Sequence, residues 1–303
     1  MRRRLRPASP TPPKLQIKLF NALVKQILTY GSDVWGACES ANKTIDTFHR
    51  AFLKYTLSVK GSTPNAAVYG ELGVYPLHLE LLASCFKYFH RLQAMNNQTL
   101  VKKVFNELSR LDNLSFPTWV SKVREKAAEF DLDLYVDFNA TNFKRLVTRQ
   151  LKIFYLISWH IELIEKSKLN CYNTLKTVFR PELYLSCIRV VKHRIAFSRL
   201  RCSSHHLAVE TGRWRSNPLP INRRICSSCR VLDDEIHFVV DCRINRADRA
   251  RLCTTLLHHL GDDFATFRVD LFINLMCSED VEVLKAAGKF LYTSFENRTK
   301  IAK

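Results

Sequence analysis

Glycine is scarce, with 8 residues in a chain of 303, and proline contributes only 10. Such a shortage excludes collagen-like and turn-rich designs and favours long regular elements. No uninterrupted apolar run reaches the roughly 18 residues that a membrane-spanning helix needs. Acidic residues are few: 28 Asp and Glu stand against 47 Lys and Arg, leaving a net charge of +19. That balance favours polyanionic partners, nucleic acid before a membrane surface; plain solubility with nonspecific adhesion is the alternative. The start Met1-Arg2-Arg3-Arg4-Leu5-Arg6-Pro7 is basic but has no apolar core, so no secretory signal is expected. Of the 10 cysteines only three cluster, which fits a reducing intracellular compartment, nucleus or cytoplasm, better than a disulfide framework. What is present is 47% hydrophobic residues, enough for a sizeable core in one large or two ordinary domains.

The densest chemistry lies between Arg223 and Cys242. Cys226, Cys229, His237 and Cys242 form a C-x2-C-x7-H-x4-C pattern. Two cysteines separated by two residues can grip an ion from one tight turn, and the later His and Cys can close the other side. Three thiolates and one imidazole suit a tetrahedral Zn2+. With all four corners filled by protein, the zinc is expected to be structural, with no place for a reacting water. The resulting charge near minus one can be offset by Arg223, Arg224, Arg230 and Arg243. The bland alternative is four ordinary residues, since cysteine is often buried as a small hydrophobe. Asp233, Asp234 and Glu235 read as a solvated turn and helix start.

Around this segment arginine is nearly the only base: Arg201, Arg213, Arg215, Arg223, Arg224, Arg230, Arg243, Arg246, Arg249 and Arg251. Its planar fork matches phosphate oxygens and stacks on bases. Trp214 sits between Arg213 and Arg215, an arrangement that suits unstacked or single-stranded nucleic acid. Two readings stay open: a stacking platform with cations on either side, or a tryptophan packed under the metal turn.

A resemblance emerges from the same residues. Leu200-Arg201, His206-Leu207, Glu210-Thr211-Gly212-Arg213, Arg223-Arg224-Ile225-Cys226, Cys229, Asp234-Glu235-Ile236-His237-Phe238 and Cys242 stand in an order similar to the C-terminal zinc-binding segment of non-LTR (LINE-type, jockey-like and CR1-like) retrotransposon reverse transcriptases. Near the other end, Leu19-Phe20-Asn21-Ala22-Leu23-Val24 and Tyr30-Gly31-Ser32-Asp33-Val34-Trp35-Gly36 resemble the segment following the polymerase core in that family, continued by Glu71-Leu72-Gly73 and Pro76-Leu77. The resemblance implies a thumb-like and zinc-knuckle region that holds template RNA or target DNA, with polymerase and endonuclease domains as further partners. The paired aspartates of a polymerase palm are missing. Gly261-Asp262-Asp263-Phe264 lacks flanking alternation and reads as a helix stop followed by an acidic turn. No catalytic residue is expected in this chain. Other possibilities are a zinc-stabilised helical protein-interaction module and an inactive element remnant.

The expected fold is mostly α, a helical bundle with a small zinc-stapled CCHC unit near the C-terminus. Residues 1–13 read as a disordered basic arm, 14–130 as a helical thumb-like region, 131–180 as a linker and long helix, and 181–303 as a helical zinc-binding region. Periodicity places Leu15, Leu19, Phe20, Leu23, Val24 and Ile27 on one face of the first helix, and Ile45, Phe48, Phe52 and Tyr55 on that of the second. Leu79, Leu82, Phe86, Phe89 and Leu92 line the third. Leu100, Val104 and Leu108, then Trp119, Val120 and Val123, line the next two. A long helix is expected from Phe143 to about Lys166. A helix starting at Pro181 alternates apolar Leu185, Ile188 and Ile195 with Arg189, Arg194 and Arg199. Leu252, Leu256 and Leu257, and later Phe290 and Leu291, are expected to be buried. Trp35 reads as a core or loop-anchoring tryptophan, with a nucleic-acid stacking platform as the alternative.

Overall fold

The computed structural model describes residues 11–136, 139–214, 216–260 and 268–301. The helices in chain order are α1 (Pro13–Leu19), α2 (Lys25–Leu28), α3 (Ser32–Trp35), α4 (Glu39–Leu57), α5 (Asn65–Leu72), α6 (Leu77–Gln93), α7 (Leu100–Asn113), α8 (Trp119–Ala128) and α9 (Ala140–Glu165). Then follow α10 (Asn170–Leu175), α11 (Tyr184–Cys187), α12 (Val191–Arg201), α13 (Ala208–Thr211), α14 (Arg246–Leu260), α15 (Arg268–Met276) and α16 (Val281–Ile301). Among the described residues there is no β-strand; an isolated antiparallel bridge pairs Ile225 with Leu232. No helix among them is long and apolar enough to cross a membrane. The chain is therefore mostly α-helical, as expected. Residues 1–10 of the arm and the Gly261-Asp262-Asp263-Phe264 turn lie outside the described residues, whereas the Thr11 and Pro12 carbonyls accept from Gln16 and Leu15 and Pro13 already belongs to α1.

Two compact units form, and neither is continuous in sequence. One comprises Lys18–Ala51 and Tyr75–Ile161; the other comprises the described parts of Met1–Ile17, Phe52–Val74 and Glu162–Lys303. The expected divisions at 131 and 181 follow the chain, whereas these units interleave it. Residues 52–74 join the C-terminal unit because Glu71 of α5 is ion-paired there with Arg201 of α12.

In the middle unit α6 is the hub. Leu79, Leu82, Phe86, Phe89 and Leu92 are all buried, and they pack with Phe105, Val120, Val123, Phe143 and Val147. Burying such a side chain contributes roughly 1.5–3 kcal/mol. Thr99 caps α7 by accepting from the Lys102 amide, and Thr118 and Ser121 form a reciprocal cap on α8. Helix α3 lies against α6 so closely that a Cβ on Gly36 would sit 2.3 Å from the carbonyl oxygen of Leu81. Trp35 donates its indole N–H to the Tyr30 carbonyl at 3.0 Å, the loop-anchoring role expected of it.

Several apolar faces turn out differently. Leu19, Leu23 and Ile27 are exposed and Phe20 is buried, because a π-helical stretch over Phe20–Val24 breaks the 3.6-residue repeat. On α4, Phe48 and Tyr55 are exposed while Asp46 and His49 are buried. Asp46 tolerates this by accepting from the amide of His78 at 3.2 Å and pairing with its ring. On α7, Leu100 and Val104 are exposed and Phe105 enters the core.

The C-terminal unit is built on α16, against which α11, α12, α14 and α15 pack. Leu252, Leu256, Phe290 and Leu291 are buried as expected, but Leu257 is exposed. The helix expected from Pro181 is two helices, α11 and α12, with extended backbone at Ile188 and Val190 between them. Arg194 is consequently buried, donating to the Ile188 carbonyl at 3.0 Å instead of joining a basic face.

Candidate metal centre

The backbone at Cys226 folds as a tight hairpin. The Cys226 amide donates to the Val231 carbonyl at 2.8 Å, and the Arg230 amide donates to the Cys226 carbonyl at 2.9 Å. Arg230 takes a left-handed conformation, φ 61°, to turn the chain. This turn presents Cys226 and Cys229 together. Asp234 starts the next helical turn by accepting from the His237 amide at 2.7 Å. On an α-helix, positions five apart lie roughly 140° from each other around the axis, so His237 and Cys242 would diverge. The segment His237–Asp241 is instead π-helical, and the Cys242 amide closes on the His237 carbonyl at 2.8 Å. This wider turn lets both side chains serve one centre.

The ligand atoms of Cys226, Cys229, His237 and Cys242 all lie within 4.8 Å of one another, so the cluster could hold a metal ion. A tetrahedral thiolate cage around an ion with bonds near 2.3 Å has sulfurs roughly 3.8 Å apart, and the observed spread is compatible with that. The residues present also fit in chemistry. His237 is only 3% exposed, yet neither ring nitrogen has a hydrogen-bond partner. Two lone imidazole nitrogens in a buried site are costly unless one binds something. Burial also lowers the pKa of His237, which favours the neutral form that ligates.

The sulfurs receive donors. The Arg243 amide points at Cys229 Sγ at 3.3 Å, and Arg298 Nη2 points at Cys242 Sγ at 3.1 Å and at Cys226 Sγ at 3.7 Å. Arg298 is in turn held by Asp233 at 2.6 Å. Burial works against the charge of Arg298, but its bonds and attraction to Asp233 and Cys242 outweigh that and raise its pKa above the ordinary guanidinium value. Arg249 clamps the exit of the turn, donating to the carbonyls of Val239 and Cys242 at 3.3 and 3.0 Å. Arg298 reaches the cluster from α16 and leaves no local trace in the sequence; Arg249 carries an ordinary helical spacing.

Asp233 and Glu235 are buried rather than solvated. Asp233 accepts from the Ala208 amide at 2.8 Å, and Glu235 is paired with buried His205 at 2.9 Å. His205 is thus a packing partner and not an additional ligand.

The arginines divide into held and free. Arg201 is fully buried: it pairs with Glu71 at 2.7 Å and Glu182 at 3.2 Å and donates to the Met276 carbonyl at 2.7 Å. It is removed from the candidate nucleic-acid surface, because a helix reading from periodicity cannot reveal a carboxylate that arrives from α5. Arg224 is half-buried and spends its guanidinium on the carbonyls of Leu219 and Val209. Arg213 is half-buried against Glu210 at 3.0 Å and Ser167 at 3.0 Å. Arg215 lies outside the described residues. Trp214 is partly exposed, with Lys60 Nζ 3.8 Å and Lys168 Nζ 5.3 Å from its ring centroid. Burial, then repulsion from Lys168 and Arg199, pushes the Lys60 pKa down to about 8. The ring of Trp214 is therefore a cation seat rather than a bare stacking platform. Arg223, Arg230, Arg243 and Arg246 are exposed, and their side chains form no ion pair or hydrogen bond among the described residues.

Comparison of the chain with protein-family models, curated proteins and solved structures returned no match.

Proposed function

We propose that the chain is a nucleic-acid-binding module in which a structural Zn2+, held by Cys226, Cys229, His237 and Cys242, fixes a basic knuckle. The observation that carries this reading is the conjunction of two features. Four ligand atoms converge within 4.8 Å, and Arg223, Arg230 and Arg243, adjacent to them in the chain, stay exposed and unpaired. Zinc would neutralise two of the three thiolate charges and hold the turn; the arginines would meet phosphate oxygens. On the sequence resemblance, the module is the C-terminal part of a non-LTR retrotransposon reverse transcriptase, gripping template RNA or target DNA without a polymerase active site of its own.

The test is binding to single-stranded RNA and to DNA across a salt series. Arg223→Ala with Arg243→Ala should weaken binding on any sequence and make the salt slope shallower by about one unit per lost phosphate contact. An unchanged slope refutes the assignment. A second reading, a zinc-stabilised protein-interaction module, is favoured by the exposed row Leu19, Leu23 and Ile27, 49%, 65% and 75% accessible. It predicts no salt-dependent affinity for nucleic acid at all.

A further inference from the structure

A second concave site lies within the C-terminal unit and shares no residue with the Cys/His cluster. The segment Cys187–Val190, the end of α14 and the first half of α16 enclose a cavity of about 350 Å³. Beside it α16 packs closely at Gly288, where a Cβ would come within 3.0 Å of Ile188 Cδ1 and 3.4 Å of His193 Cβ. Ile188, Val190 and Ala286 supply apolar lining, and Arg189, Lys285 and Lys289 supply three cations against the one carboxylate of Glu282. Glu282 is engaged by Lys285 at 2.7 Å. Arg189 and Lys289 are exposed and make no side-chain ion pair or hydrogen bond among the described residues. His193 lies along the wall, tilted against Tyr292 with ring centroids 5.5 Å apart.

An apolar hollow lined also by unpaired cations selects a particular chemistry of ligand: a weakly polar body carrying an anionic group. The volume admits one nucleoside with a phosphate, and is near the lower limit of organic-ligand pockets. A fully hydrated small anion would gain nothing from Ile188 and Ala286. An uncharged apolar molecule would gain nothing from Arg189 and Lys289.

We infer that this cavity binds a nucleoside phosphate, with the base against Ile188, Val190 and Ala286 and the phosphate between Arg189 and Lys289. The nucleotide can be free or one unit of a strand. This site stands apart from the knuckle: Arg223→Ala and Arg243→Ala should leave it intact.

Calorimetry of the full chain with adenosine monophosphate and with inorganic phosphate tests the inference. The nucleotide should bind at least about tenfold more tightly, since apolar burial adds to the ionic contact. Arg189→Glu and Lys289→Glu, both on the exposed rim, should each weaken it by about tenfold. Ala286→Trp should block the nucleotide; if that variant fails to fold, the two rim variants still decide. The source is read by alkylation of Cys187, mapped by peptide mass. Protection by both the mononucleotide and a short single-stranded oligonucleotide means that one unit of a strand also fits, protection by the mononucleotide alone means a free nucleotide, and protection by neither overturns the inference. Equal binding of phosphate and nucleotide, rim variants that bind like wild type, or no nucleotide binding each overturns the inference.

Discussion

Replacing Arg201 by Ala should be the most damaging single change in the C-terminal unit. Arg201 and Glu71 are both 0% exposed, and 2.7 Å separates their charged atoms. Removing the guanidinium leaves the fully buried Glu71 carboxylate without its ion-pair partner, whereas Glu182 keeps its pairing with Lys176. Breaking a buried pair in this way costs about 3–5 kcal/mol. At a urea slope near 2 kcal/mol/M, the midpoint should fall by roughly 2 M. The double replacement Arg201→Met with Glu71→Leu removes both charges and keeps the volume filled. It should recover to within about 1 kcal/mol of the parent. Urea unfolding of the parent, Arg201→Met, Glu71→Leu and the double variant gives the coupling directly. The reasoning fails if Arg201→Ala costs less than about 1 kcal/mol, or if the double variant is as unstable as the sum of the singles. The double variant also serves the binding question: its salt slope with RNA should equal that of the parent, because Arg201 never meets phosphate.

Three further outcomes follow from single positions. His49 is buried and neutral, and burial depresses its pKa from 6.5 to about 4. Its folded pKa lies below its unfolded one, so this contribution is complete above pH 6.5 and is lost as pH falls toward 4. It amounts to about 3 kcal/mol, and His49→Leu should flatten the acid limb of a stability–pH curve for the middle unit. Gly36→Ala places a methyl against the Leu81 carbonyl, so thermal unfolding should show a loss of about 1–3 kcal/mol. Arg230 occupies a left-handed conformation that costs a side chain roughly 1–2 kcal/mol. Arg230→Gly should therefore keep or slightly raise the melting temperature while Arg230→Val lowers it, and both should lose some affinity for nucleic acid.

The sequence made the centre of each helix legible where one apolar face meets one core. On α6 the five expected residues are all buried, joined by Leu77, Leu81, Ala83 and Cys85, because a long helix surrounded on several sides buries a wide face. It failed where a local break or a distant partner decides. The π-helical stretch after Leu19 shifts the buried face to Phe20, and no residue type announces it. Asp46 and His49 go inward on α4 because His78 from another helix satisfies Asp46, a partner that periodicity cannot see. The same holds at the metal cluster. The four ligand positions follow from spacing and converge in the fold, but Arg298, the donor nearest two of the sulfurs, comes from the far end of the chain. The arginine row was overcounted for a related reason: Arg201 and Arg224 are cationic in sequence and structural in space.

The central claim is that four side chains hold one ion, and metal analysis reaches it most directly. Purified protein should carry one Zn2+ per chain, replaceable by Co2+ with the absorption of a tetrahedral thiolate site. Cys229→Ser should lower the metal content and make the 223–246 segment protease-sensitive. A chain that folds with no bound metal, or a Cys229→Ser protein with undiminished zinc and the same protease resistance, contradicts the account.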